Sequence, residues 1–279
     1  MTIAIPSRKE LSSYIHSKLK SNLSDLKANF QNSVREVGVR YCYLDDLLPN
    51  EIANRIDSVF PKKNEMRLMD SFREKKYTSK DFNRFDPLLE DITFAIQDDA
   101  VIRIVEEITG IQEQRADPSL YAGGLSRMEI GNFLNPHIDN SHEMTRTLYR
   151  TLNLLYYVSP QWSLENGGNL ELWDKKVRNR ITIESKFNRL VLMETNPWSW
   201  HSVSPVVVDR NRNCVSNYYF SRKSPIGVDY FNVTSYSARP EEPLKRILSN
   251  VDNKLRGLLR ILKRDGFGKK DFYQNNQNK

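Results

Sequence analysis

The strongest constraint on the fold lies between residues 118 and 222. Short runs rich in Val, Ile, Leu and Tyr recur there with turn residues between them: LSRMEIGNF, RTLNLLYYVS, GNLELWD, RITIES, NRLVLME, HSVSPVVV and CVSNYYFS. Gly167–Gly168 and Asn196–Pro197 punctuate the intervals. Seven or eight short strands at this spacing predict a β-sandwich or barrel. The flanks have a different period. Leu11, Ile15, Leu19, Leu23, Leu26 and Phe30 recur every three or four residues, which predicts one amphipathic helix over 7–33. Residues 37–48 read as a strand running into a helix, with Pro49 near the helix start, and 86–110 as two helices ending at Gly110. After Pro240 a stripe of Leu244, Leu248, Val251, Leu255, Leu258 and Leu262 returns to the helical period. With barely three heptads it is expected to dock on the parent domain, or on a second copy, rather than face water.

The chain therefore divides into four parts. An N-terminal amphipathic helix (1–36) is followed by an α/β portion (37–117), a β core (118–236) and a basic C-terminal helix with its tail (237–279). The expected class is mainly β with flanking helices (α+β). At 279 residues the chain is long enough for a sizeable core. No apolar run reaches the roughly 18–20 residues of a membrane span. The opening MTIAIPSRKELSSYIHSK lacks the apolar centre of a signal peptide, so a cytoplasmic location is expected. The net charge of +7 is concentrated at the two ends and comes with no nucleic-acid motif. It reads as solvated basic helices, and no nucleic-acid partner is expected.

Two cysteines, Cys42 and Cys214, make neither a disulfide framework nor a thiolate metal site. Any metal must then be held by His, Asp or Glu. Two of the four histidines fall in NPHIDNSHE at 135–143. On a strand, His137 and Asp139 have the same parity and point to one face. His201, in NPWSWHSVSPVVV, is the candidate third ligand from another strand of that face. Two imidazoles and one carboxylate leave coordination positions open and suit a redox iron better than a closed zinc site. Such a site attracts an anionic co-substrate, whose far end needs a counter-charge. Arg212 shares parity with Cys214, Ser216 and Tyr218 on the last predicted strand and can meet a carboxylate through two parallel hydrogen bonds. Arg210 is its rival on the same face. His142 reads as a loop residue near the site mouth and His16 as a helix-surface residue. Trp198 and Trp200 are either core packing or a wall of the substrate pocket.

H-x-D, a distant histidine and an arginine about ten residues on, all on short strands, resemble the iron(II)/2-oxoglutarate-dependent dioxygenases. The likeness is greatest to the prolyl 4-hydroxylase-like branch. It rests on HIDN at 137–140, RTLNLLYYVS at 150–159, NGGNLELW at 166–173, FNRLVLM at 187–193, HSVSP at 201–205 and RNCVSNYYFS at 212–221. Arg127–Met128 stands where relatives carry a tyrosine on the strand before H-x-D. The resemblance implies a double-stranded β-helix core (jelly-roll, cupin-like), with His137, Asp139 and His201 as Fe(II) ligands. It also implies Arg212 as the anchor of the 2-oxoglutarate C5 carboxylate, assisted by the Tyr157 hydroxyl. Dioxygen is the other implied co-substrate, and ascorbate binding as a reductant belongs to the same expectation. The implied reaction is hydroxylation of an unactivated C–H with release of succinate and carbon dioxide. A prolyl residue of a protein or peptide is the first expected substrate, ahead of a free amino acid, sugar or other metabolite. A non-catalytic 2-oxoglutarate or metal sensor is the alternative from another class. The protein is expected to be a monomer or homodimer.

Overall fold

The computed structural model describes residues 5–121 and 123–246, together with positions 248, 249, 253, 255 and 273. The chain opens with α1 (Arg8–Ser21), α2 (Leu23–Asn32) and the single turn α3 (Val34–Val37). Ser7 and Glu10 cap α1 reciprocally: the Glu10 N–H donates to Ser7 Oγ at 3.4 Å and the Ser7 N–H to Glu10 Oε2 at 2.8 Å. The one helix expected over 7–33 is in fact interrupted at Asn22, whose backbone (φ −115°, ψ 14°) leaves the helical region. The apolar stripe nevertheless continues across the break, with Leu11, Ile15, Leu19, Leu26 and Phe30 all buried. Each such side chain contributes about 1.5–3 kcal/mol.

Next come β1 (Tyr41–Leu44), α4 (Asn50–Ser58), β2 (Arg67–Asp70) and β3 (Glu74–Ser79). Then follow α5 (Pro87–Ala95), capped by the Asp86 side chain, and α6 (Asp99–Thr109), which ends at Gly110 as expected. The β core contributes β4 (Gly124–Met128), β5 (Phe133–Ile138), β6 (Tyr149–Tyr157), β7 (Leu170–Trp173) and β8 (Arg180–Ile183). It closes with β9 (Arg189–Glu194), β10 (His201–Val203), β11 (Arg212–Ser221) and β12 (Ser235–Tyr236).

These strands join in one curled, antiparallel sheet in the order β1-β9-β6-β11-β4-β3-β5-β10-β7-β8, with β2 on β3 and β12 on β5. This is the double-stranded β-helix arrangement. Alternation along β6 sorts its two faces. Leu152, Leu154 and Tyr156 pack in the large cluster that contains the α1, α5 and α6 side chains, whereas Asn153 and Leu155 face a cavity. On β11, Val215 and Tyr219 face the helices while Arg212, Cys214, Ser216 and Tyr218 face that cavity. The helices thus back the sheet and leave its concave side free.

Sequence reading missed β2, β3 and β12. The first two are RLMD and EKKYTS, too polar to register as strands. Of the C-terminal stripe, Leu244, Leu248 and Leu255 are 76%, 64% and 55% exposed, so these three do not dock on the catalytic domain, the first of the two expected partners. Val251, Leu258 and Leu262 lie outside the described residues.

Gly167 ends the short helical turn at Leu164–Asn166 with φ 70° and ψ −159°, a conformation open essentially to glycine alone. A Cβ at this position would lie 2.0 Å from the Pro205 carbonyl oxygen. Gly167→Ala is therefore expected to cost roughly 2–6 kcal/mol, the sum of backbone strain and overpacking. A urea titration would show this as a lower midpoint at an unchanged slope; an unchanged midpoint would mean that the 164–168 turn relaxes freely.

Candidate metal and co-substrate site

His137 and His201 are brought together by strand pairing. β5 and β10 are antiparallel neighbours with His201 directly opposite His137, and their ring centroids are 4.1 Å apart. The register then slips, because Val203 pairs with Leu134, three residues back along β5 rather than two. The extra residue falls at the stretch containing Pro136, which lacks a ladder donor and is tolerated at such a bulge. Asp139 follows β5 directly and shares the His137 face. One potential ligand atom from each of His137, Asp139 and His201 lies within 4.8 Å of the others.

The hydrogen bonds around this triad prepare it for a cation. His137 Nδ1 lies 3.0 Å from the Asn135 carbonyl oxygen, and His201 Nδ1 lies 3.0 Å from that of Ser199. A carbonyl only accepts, so each Nδ1 carries the proton and each Nε2 presents its lone pair to the site. Burial, reinforced by the neighbouring His201, pushes the His137 pKa down to about 3, which keeps that ring neutral. Burial is also the largest influence on Asp139 and opposes its charge, but Arg150, the two histidines and Asn153 together hold its carboxyl below the usual range. The Nε2 atoms of His137 and His201 lie 3.7 and 3.6 Å from the Asp139 carboxylate oxygens. The two imidazole Nε2 atoms and the Asp139 carboxylate converge on one point. This donor set fits a divalent first-row cation such as Fe(II).

The triad opens into a cavity of about 470 Å³ walled by the β2–β3 hairpin, β4, β5, β6, β10 and β11. Arg212 lines the same cavity and is only 4% exposed. Its guanidinium stacks on the Tyr157 ring at 4.6 Å, and its polar neighbours are Ser185 Oγ at 3.4 Å and the Met128 sulfur at 3.9 Å. Among the described residues no carboxylate pairs with it. A buried cation without a counter-ion is costly and marks a place for an anion. The Tyr157 hydroxyl is likewise buried, without a well-formed hydrogen bond among the described residues, and burial pushes its pKa up to about 12 against the nearby Arg212 charge and Ser185. Arg210 is exposed and donates to the Gln161 and Pro160 carbonyls at 3.0 and 2.6 Å, so it stands outside the cavity.

Other expected residues fall elsewhere. Trp198 and Trp200 are half-buried and do not line the cavity; Lys175 Nζ sits 5.1 Å from the Trp198 ring. His142 is in a loop as expected but buried, 4.2 Å from the Tyr149 ring and bonded to Ser141 Oγ at 2.7 Å. His16 is half-buried on α1. Met128 reaches into the cavity, whereas Arg127 turns to the Pro61 carbonyl and to Glu129.

Three residues of the site were not found from the sequence. Arg150 and Asn153 both contact Asp139 Oδ2, at 3.1 and 2.9 Å, and the Tyr236 ring stacks 5.4 Å from His137. Alternation alone would turn Arg150 toward the helices with Leu152. The pairing of Tyr219 with Leu152 and of Phe220 with Arg150 makes Thr151 an extra residue, and this bulge returns Arg150 to the cavity face beside Asn153.

Residues 123–220 match the 2OG-Fe(II) oxygenase superfamily. No curated protein matches the chain. Among solved structures, a prolyl hydroxylase from Trichoplax adhaerens, in complex with a hypoxia inducible factor oxygen degradation domain peptide fragment, has a similar fold. Its TM-score is 0.51 at 16% identity, over 76% of this chain and 96% of that one. A Pseudomonas putida prolyl-4-hydroxylase aligns with TM-score 0.49 and 14% identity, over 70% and 98% of the two chains. HygX from Streptomyces hygroscopicus, with nickel, 2-oxoglutarate and hygromycin B bound, aligns at 0.47 and 14%, over 69% and 86%. The superfamily match spans β5 with His137, Asp139 just after it, β10 with His201 and β11 with the buried Arg212, so the residues of the candidate site all lie inside the segment that matches the 2OG-Fe(II) oxygenase superfamily.

Proposed function

We propose that this protein hydroxylates an unactivated C–H bond, with Fe(II) held by His137, Asp139 and His201 and the 2-oxoglutarate C5 carboxylate held by Arg212. The observation that carries the reading is Arg212 itself: a buried guanidinium, without a counter-ion among the described residues, in the same cavity as the triad. When bound, iron and 2-oxoglutarate supply O2 activation and C–H oxidation, yielding hydroxylated product, succinate and carbon dioxide. The chain's own residues bind and orient. Two Nδ1–carbonyl bonds aim the imidazoles, Arg212 offers two parallel donors to a carboxylate, and Tyr157 presents its face to the guanidinium and its hydroxyl beside it. Met128, Leu134 and Val203 cluster on the apolar side of the cavity and exclude water there.

A prolyl residue of a peptide is the first substrate to test. A small polar metabolite is the second reading, favoured by the polar lining from Thr78, Ser126, Asn140 and Ser216, with no phenylalanine or tryptophan among the described lining residues. Purified protein given Fe(II), 2-oxoglutarate and ascorbate is expected to release succinate, and more of it when a true substrate is added. Mass spectrometry should show a gain of one oxygen on the substrate. Tight 2-oxoglutarate binding with no succinate under any condition would replace the hydroxylase by a non-catalytic sensor.

A further inference from the structure

The Asp139 carboxylate is gripped on one side only. Oδ2 is ion-paired with Arg150 Nη1 at 3.1 Å and accepts from Asn153 Nδ2 at 2.9 Å, while the main-chain oxygen of Asp139 accepts from Asn232 Nδ2 at 2.8 Å. Arg150 is itself fixed. It is 1% exposed, its Nη2 donates to Asn140 Oδ1 at 2.8 Å, and its guanidinium lies 4.3 Å from the centre of the Tyr218 ring. Its Nε is buried without a partner, so the two Nη contacts set its pose. Oδ1 lies 3.7 Å from His137 Nε2 and Oδ2 3.6 Å from His201 Nε2, but only Oδ1 has no hydrogen-bond donor or arginine partner among the described residues.

Resting on the metal-site reading above, we propose that Arg150 is a positioning residue which, with Asn153, occupies Oδ2 so that Asp139 presents Oδ1 alone to the metal. A carboxylate free at both oxygens can chelate through two atoms and rotate. Held at Oδ2, it is a one-atom ligand in a fixed pose, which keeps a coordination position open for co-substrates. The ion pair also balances the buried Asp139 charge. The Thr151 bulge that turns Arg150 inward is therefore part of the site.

The test is Mn(II) binding to metal-free full-length protein, followed by electron paramagnetic resonance without 2-oxoglutarate or substrate. Arg150→Met is expected to weaken Mn(II) binding by about 10–100-fold, the usual range for losing an outer-shell partner, and to change the shape of the bound-Mn(II) spectrum. Arg150→Lys, which keeps a cation and one donor, should recover part of both, a rescue that a purely structural role does not predict. Asn153→Ala should shift both readouts in the same direction, and it decides the matter if Arg150→Met fails to fold by circular dichroism. Folded variants with wild-type affinity and spectrum would overturn the proposal alone. Wild-type protein that binds no Mn(II) would overturn the metal-site reading and this proposal with it.

Discussion

Replacing His201 with alanine is expected to abolish metal binding and succinate release while leaving the fold intact. His201 opens β10 opposite His137, and its ring contributes one of the three converging ligand atoms found among the described residues. Outer-shell partners of metal sites already cost about 10–100-fold when removed, so loss of a direct ligand should exceed that range and reduce turnover to background. The backbone pairing of β10 with β5 and β7 does not depend on the imidazole, so the melting temperature should stay near that of the wild type. His137→Ala should behave alike. Asp139→Ala is a less clean test, because it strands the Arg150 guanidinium without its carboxylate; breaking a buried pair in this way costs about 3–5 kcal/mol. Isothermal titration with Mn(II), paired with thermal melts, separates the two effects. Wild-type affinity in folded His201→Ala would show that the triad is not the metal site.

What the sequence made legible follows from alternation. On β11 the period of two runs unbroken from Arg212 to Tyr218, so the residues expected to face inward are those that line the cavity. H-x-D needs no more than a strand ending beside its carboxylate, and the same parity argument placed both side chains. Bulges hid the rest. Thr151 shifts Arg150 by one place, and no local pattern announces it, since its partner residues Tyr219 and Phe220 are seventy positions away in sequence. β2 and β3 were missed for another reason. Their side chains are half-buried or exposed on both faces, so they carry no apolar alternation, yet β3 bridges β4 and β5 and supplies cavity wall. The α1–α2 break was equally silent, because Leu26 and Phe30 resume the stripe after Asn22 as though the helix had continued.

Arg212→Lys is expected to raise the KM for 2-oxoglutarate by roughly 10- to 150-fold, while Arg210→Lys leaves it unchanged. A guanidinium meets a carboxylate through two parallel N–H donors, whereas an ammonium offers a point charge on a stem without that fork. Loss of one charge-assisted hydrogen bond costs about 1.5–3 kcal/mol, which corresponds to that range in affinity. The lysine also forfeits the planar stacking that now holds Arg212 at 4.6 Å from the Tyr157 ring. Arg210 differs in kind: it is exposed, and its two carbonyl acceptors, Pro160 and Gln161, are surface backbone that a lysine or water serves as well. Steady-state succinate release at varied 2-oxoglutarate distinguishes the two variants, and metal affinity measured without 2-oxoglutarate should be unchanged in both. The opposite ranking would move the anchor to Arg210 and require β11 to slide by one residue pair. Its Cys214–Tyr157 and Val215–Tyr156 pairings with β6, which set Arg212 against the Tyr157 ring, would then have to break.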